Sequence, residues 1–105
     1  MRGDVYETRD NPRAKGHEQQ GRRYAVILQS DTLPISTVIA APTSTSARDS
    51  TYRPEIQLMG RRTKVLIEQM RCVDPEQRLG RKIGKISFEE QLDIDRALKL
   101  VLGLF

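Results

Sequence analysis

Three short stretches carry the side chains best suited to chemistry: residues 18–23 (Glu-Gln-Gln-Gly-Arg-Arg), 43–46 (Thr-Ser-Thr-Ser) and 68–71 (Glu-Gln-Met-Arg). Together they offer guanidinium, hydroxyl, carboxylate and amide groups. A guanidinium presents a rigid fork of donors that matches a phosphate. A hydroxyl can donate to a phosphate oxygen or to a departing alkoxide. Such a set suits binding a phosphodiester and stabilising the charge that its transition state gains. RNA carries its own nucleophile in the 2′-hydroxyl. In-line attack would therefore need no cofactor and would leave a 2′,3′-cyclic phosphate and a 5′-hydroxyl. Arg23 suits electrostatic stabilisation better than proton removal, because an arginine side chain stays protonated at neutral pH. Glu18 and His17 are the side chains in range to act as base.

Each of these residues also has a plainer reading. Arg22 and Arg23 can cover apolar surface with their stems. Residues 43–46 can be an ordinary strand end, since hydroxyls suit turns. Glu68 and Arg71 can form a surface ion pair of little worth. Cys72 lies among apolar neighbours and reads as a small buried hydrophobe.

The totals bound the possibilities. A chain of 105 residues, 37% hydrophobic and 30% charged, is expected to fold as one soluble domain over residues 1–105. A net charge of +4 favours an acidic partner such as nucleic acid, an acidic protein or a membrane surface. The single cysteine excludes an intramolecular disulfide and a cysteine-rich zinc site, and the single histidine excludes a multi-histidine metal site. No metal or other cofactor is expected. The start of the chain has no signal-peptide pattern, and no stretch approaches the ~18 apolar residues of a membrane span. A cytoplasmic protein without membrane attachment is the expectation.

The elements that must position these residues read as follows. Residues 2–8 form a first strand, and Asp10-Asn11-Pro12 breaks it before a long loop. Residues 22–29 form a second strand with Tyr24, Val26 and Leu28 on one face and Ala25 and Ile27 on the other. Both faces are apolar, so this strand is expected at the centre of a sheet. Residues 37–41 form a third strand ending at Pro42, and residues 54–58 a fourth with Ile56 and Leu58 pointing inward. Gly60-Arg61-Arg62 reads as a tight basic turn, residues 63–73 as one alternating strand, residues 74–79 as a short helical turn and residues 82–87 as a last strand. Ser87-Phe88-Glu89-Glu90 is a capping box that opens a helix. Its stripe is Leu92, Ile94, Leu98, Val101, Leu102 and Phe105, which packs on the sheet or covers a partner subunit. Strands first and one helix last is a mainly β architecture, a small barrel or curled antiparallel sheet closed by a terminal helix.

Several segments resemble, in order, the MazF/PemK (Kid) family of toxin endoribonucleases. Arg2-Gly-Asp-Val-Tyr is similar to the family's opening. Gly16-His-Glu-Gln-Gln-Gly-Arg-Arg and the apolar strand after it resemble its Gly-Ser-Glu-Gln-x-Gly-x-Arg-Pro segment. Thr37-Val-Ile-Ala-Ala-Pro followed by hydroxyls resembles its third strand, and Glu68-Gln-Met-Arg-Cys-Val-Asp its Glu-Gln-Ile-Arg-x-Ile-Asp segment. The resemblance implies an SH3-like barrel of the MazF/CcdB type with a C-terminal helix. It implies a homodimer that cuts single-stranded RNA without metal. It further implies inhibition by a cognate MazE-like antitoxin, with operator DNA reached only through the antitoxin complex.

Carried over residue by residue, the family's catalytic arginine falls on Arg23 and its loop glutamate on Glu18. Gln19, Arg22, Thr45, Gln69 and Arg71 fall among RNA contacts. The family's Pro-x-Thr pattern, anchored on Pro42, puts Ser44 in the place of the catalytic threonine, with Thr43 beside it. Strand alternation aims Ser44 opposite to its neighbours, and a bulge would swap them. Tyr24 stands where the family has proline, as a stacking ring for a base or as a core residue. Two alternatives remain. One is a non-enzymatic gyrase poison like CcdB, which acts through a tryptophan-containing end that this chain lacks. The other is a barrel that binds nucleic acid or antitoxin without activity.

Overall fold

The computed structural model describes residues 1–9 and 23–104. Its elements in chain order are β1 (Asp4–Thr8), β2 (Tyr24–Ile27), β3 (Val38–Ser44), β4 (Glu55–Leu58), β5 (Arg61–Val65), a 3-10 turn (Ile67–Gln69), β6 (Arg71–Val73), α1 (Pro75–Arg78), β7 (Leu79–Lys85) and α2 (Phe88–Leu102). The strands form one antiparallel sheet in the order β4-β5-β3-β2-β1-β7, with β6 added beside β3.

The apolar faces of β2 explain the curl. Val26 and Leu28 join Val5, Ala41, Ile56 and Ile94 in the larger core, while Ala25 and Ile27 join Val38, Ala40 and Leu79 in a smaller one. A strand buried on both sides belongs in the middle of a sheet, and β2 lies between β1 and β3. Fully burying one such aliphatic side chain contributes about 1.5–3 kcal/mol. The β4 alternation holds as well: Ile56 and Leu58 are buried, and Glu55 and Gln57 are exposed.

Three stretches depart from the sequence reading. β3 does not end at Pro42 but runs on to Ser44. The Pro42 carbonyl accepts from the Leu66 N–H at 2.9 Å, on the side where β5 has ended and β6 has not begun. No partner there needs the donor that proline lacks, so the strand passes through. Residues 63–73 are not one strand. Val65, Leu66 and Ile67 are all buried in succession, which a period of two cannot achieve, and the 3-10 turn solves it by bending the chain. Cys72 is exposed, not buried, because β6 is a three-residue strand and pairs only with β3. β7 also begins three residues before the expected start, where buried Leu79 pairs with Thr8.

The helix forms as its cap predicts. Ser87 Oγ accepts from the Glu90 N–H at 3.1 Å, and Glu90 Oε1 accepts from the Ser87 N–H at 2.8 Å. The other oxygen of Glu90 accepts from the Gln57 N–H at 2.7 Å and so occupies a donor on the edge strand β4. Gly103 ends the helix in the left-handed conformation at φ 70°, which glycine adopts without strain. The packed stripe is narrower than the pattern suggests. Ile94 and Ala97 are buried and Leu98 and Val101 partly so, but Leu92 and Leu102 remain 41% and 54% exposed. Phe105 lies outside the described residues. No described helix is long and apolar enough to cross a membrane.

Candidate active site

Two hollows meet at the start of β2. The Thr8 N–H donates to the Arg23 carbonyl at 2.8 Å, which fixes Arg23 against the end of β1. Ala25 pairs with Pro42, so two further steps of the same antiparallel register bring Arg23 level with Ser44. A cleft of ≈ 350 Å³ opens there. Arg23, Tyr24 and the hydroxyl row Thr43–Ser46 form one wall, and Leu58, Met59 and Arg61 of the β4–β5 hairpin form the other, with Thr63 between.

The two adjacent hydroxyls are held differently. Thr43 pairs with Val65 and Ser44 with Lys64, so the strand aims them to opposite faces. Thr43 is buried, and its hydroxyl donates to the Tyr24 carbonyl at 3.1 Å. Ser44 Oγ accepts from the backbone N–H of Ala47 at 3.0 Å and of Ser46 at 3.2 Å. With its lone pairs engaged by these donors, Ser44 has its proton to donate; the acceptor here is Ser46 Oγ at 3.5 Å, a long contact that a phosphate oxygen can replace. Both line the cleft because β3 ends at this point.

The second hollow, of ≈ 140 Å³, shares Arg23 and Tyr24 with the first and adds Gln69, Arg71 and Arg78. Arg78 is anchored by its own main chain, since its carbonyl accepts from the Arg9 N–H at 2.7 Å while its Nε donates to the Arg9 carbonyl at 3.3 Å. Glu68 lines neither hollow. It does not pair with Arg71 either: its carboxylate takes Arg53 in a fork, with Nε at 3.1 and 3.2 Å and Nη2 at 3.2 Å. That bond makes Arg53 hold its proton more tightly than an ordinary arginine. Among the described residues no carboxylate pairs with Arg23 or Arg71.

Residues 1–102 match the family model described as PemK-like, MazF-like toxin of type II toxin–antitoxin systems. The chain belongs to this family. It is 36% identical over 104 residues to a chain from Mycobacterium tuberculosis named a toxin, covering 99% of this chain and 98% of that one. It is 32% identical over 111 residues to the endoribonuclease MazF of Staphylococcus epidermidis, covering 98% and 91%. In fold it is similar to a mycobacterial endoribonuclease solved in complex with its cognate antitoxin, with TM-score 0.81, 19% identity, and 100% and 96% of the two chains covered. It is likewise similar to MazF from Deinococcus radiodurans, with TM-score 0.74, 23% identity, and 96% and 94% covered.

Against the family expectation, the structure brings Arg23, Thr43, Ser44 and Thr45 into the larger cleft and Gln69 and Arg71 into the adjoining hollow. Arg23, expected as the catalytic arginine, lines both hollows together with Tyr24 and stands where they join. Glu18, Gln19 and Arg22, together with His17, lie outside the described residues. Sequence reasoning missed Arg61, Met59 and Arg78 as lining residues. The signal for Arg61 was present. Two residues on from Arg61 is Thr63, and a strand starting at Arg61 puts the two on one face, whereas a turn at 60–62 does not.

Proposed function

We propose that this chain is the toxin of a type II toxin–antitoxin pair and acts as an endoribonuclease on single-stranded RNA. The observation that carries the reading is the position of Arg23, facing a row of hydroxyls in one hollow and Gln69 and Arg71 in the next. The scissile phosphate lies against Arg23, and the RNA strand continues toward Arg71. The 2′-oxygen attacks phosphorus, the bond from phosphorus to the 5′-oxygen breaks, and the products are a 2′,3′-cyclic phosphate and a 5′-hydroxyl. The 2′-hydroxyl proton passes to a base, for which Glu18 and His17 are the candidates, and the departing 5′-oxygen takes up a proton from water. Arg23 and the Ser44 hydroxyl donate to the oxygens that gain charge, a role worth about 10²–10³ in rate for one well-placed donor. The RNA supplies the nucleophile, so the reaction runs without a metal.

The working form is a homodimer, and Leu92, Leu100 and Leu104 on and after α2 are the exposed apolar surface available for the partner copy. A MazE-like antitoxin holds the toxin inactive in the cytoplasm, and the chain reaches operator DNA only within that complex. The net charge of +4 suits both the RNA and an acidic antitoxin segment.

The test is digestion of a long single-stranded RNA in the presence of EDTA, with the cut ends mapped. Discrete cuts with cyclic-phosphate and 5′-hydroxyl ends, lost in a folded Arg23→Ala variant, are the expected result. A folded dimer that leaves every RNA intact would overturn the enzyme reading and leave a toxin that works by binding.

A further inference from the structure

The two faces of the β4–β5 hairpin treat charge differently. On the outer face Arg62 Nε donates to Glu55 Oε2 at 3.1 Å, and Lys64 pairs with Asp49. Each cation on that face has its carboxylate. The inner face carries Ile56, Leu58, Thr63 and Val65, all buried, and ends in Arg61, which pairs across the hairpin with Leu58. Arg61 is exposed and lines the larger cleft, and among the described residues no carboxylate lies within ion-pairing distance of it. Arg61 and Arg62 are neighbours of the same charge, yet alternation gives one a partner and leaves the other facing the hydroxyl row.

The sheet order fixes where Arg61 stands relative to Arg23. β3 runs between β5 and β2, so the two guanidiniums approach the cleft from strands roughly 10 Å apart, with Thr43 and Ser44 between them. No carboxylate lines the cleft among the described residues. A polyanion bridging this width meets a guanidinium on each wall.

We propose that Arg61 binds a phosphate next to the scissile one, so that the cleft holds two consecutive phosphates of the RNA strand. The proposal rests on the reading of the cleft as the phosphodiester site and adds a residue which positions the substrate without taking part in the bond changes. Loss of Arg61 then weakens binding and leaves the chemical step intact, whereas loss of Arg23 removes the chemistry.

The experiment compares wild type, Arg61→Ala, Arg61→Lys and Arg62→Ala. Cleavage kinetics are measured on RNA containing the mapped cut site. Binding is measured over a range of salt with a 2′-O-methyl oligonucleotide of the same sequence, which cannot be cut. For Arg61→Ala the expected result is a rise in KM of about tenfold with little change in kcat, and a salt slope shallower by about 0.7. Arg61→Lys keeps the salt slope and recovers part of the KM, because a point charge remains but the fork is lost. Arg62→Ala, the charge-matched control, leaves both unchanged. Equal effects of Arg61→Ala and Arg62→Ala, or an unchanged salt slope in Arg61→Ala, would overturn the proposal while the wild type still cuts. A wild type that neither cuts nor binds RNA would overturn the reading of the cleft itself.

Discussion

Thr43 and Ser44 are one peptide unit apart, and their hydroxyls have different tasks. The Thr43 proton goes to the Tyr24 carbonyl inside the sheet. The Ser44 oxygen is gripped by two backbone N–H groups that follow β3, which leaves its proton to the long 3.5 Å contact with Ser46 Oγ, a weak claim that a bound phosphate oxygen displaces. Ser44→Ala is therefore expected to lower kcat by ~10²-fold or more with little change in stability. Thr43→Val keeps shape and volume but removes the donor. It is expected to keep kcat within ~10-fold of wild type and to cost about 1 kcal/mol of stability. Single-turnover cleavage and thermal denaturation of the two variants decide the matter. If Thr43→Val is the catalytically damaged one, the functional hydroxyl is that on the buried face and the Pro-x-Thr register is shifted by one residue.

At the scale of elements, the hairpin that carries Arg61 turns through Met59 at φ 53° and Gly60 at φ 77°, the geometry of a type I′ turn. Gly60 adopts this without penalty, but a methionine in the left-handed region is held at a cost of ~1–2 kcal/mol. Met59 is 65% exposed, so burial does not offset that cost. It does line the cleft. Met59→Asn is expected to raise stability by about 0.5–1 kcal/mol in denaturant unfolding, because asparagine enters this region more readily. The same variant is expected to raise KM for RNA, and an unchanged KM would show that the methionine wall is not used by substrate. The helix cap offers a second check: Ser87→Ala is expected to cost about 1 kcal/mol. The helix cap was readable from the sequence because it is written in a few adjacent residues. The turn was expected at 60–62 and lies at Met59–Gly60, since a methionine at positive φ is not a turn signal and Arg61 and Arg62 already belong to β5. The central position of β2 was readable from its two apolar faces, and the inward pair Ile56 and Leu58 from alternation. The break after Val65 was not, since three consecutive apolar residues fit neither a strand nor a helix period and only the packing decides. The exposure of Cys72 was not either, because it depends on which side of β3 the short β6 attaches. For the site, the residue types at Arg23, Thr43–Ser46, Gln69 and Arg71 were legible, but their division between two hollows that share Arg23 comes from the curl of the sheet, which no periodicity records.

At the scale of the whole molecule, the ends of the sheet are tied by charges at the surface, and these set the response to acid. The N-terminal ammonium meets Asp31 at 2.8 Å and Asp4 at 3.7 Å, Arg2 reaches Asp95 on α2, and Lys64 holds Asp49. The hydrogen bond from the terminal ammonium, then that from the Arg2 N–H, pulls the Asp31 carboxyl below the usual carboxylate range. The hydrogen bond from Lys64 does the same for Asp49. A carboxyl whose folded pKa is depressed binds fewer protons folded than unfolded. Its stabilisation is complete above the unfolded value, near 3.8, and is lost as pH falls through the lower folded value. The melting temperature is therefore expected to be insensitive to these two groups from neutral pH down to about pH 5, and to fall with them below about pH 4. Asp49→Asn and Asp31→Asn remove the titrating group and are each expected to flatten that acid limb, with the double variant flatter than either, since the two carboxylates share no partner. High salt should flatten it too, because both carboxylates are open to solvent. Thermal melts of the four proteins between pH 7 and roughly pH 3, at low and high salt, test this. Equal acid slopes in wild type and the double variant would show that these two surface pairs do not set the acid limb.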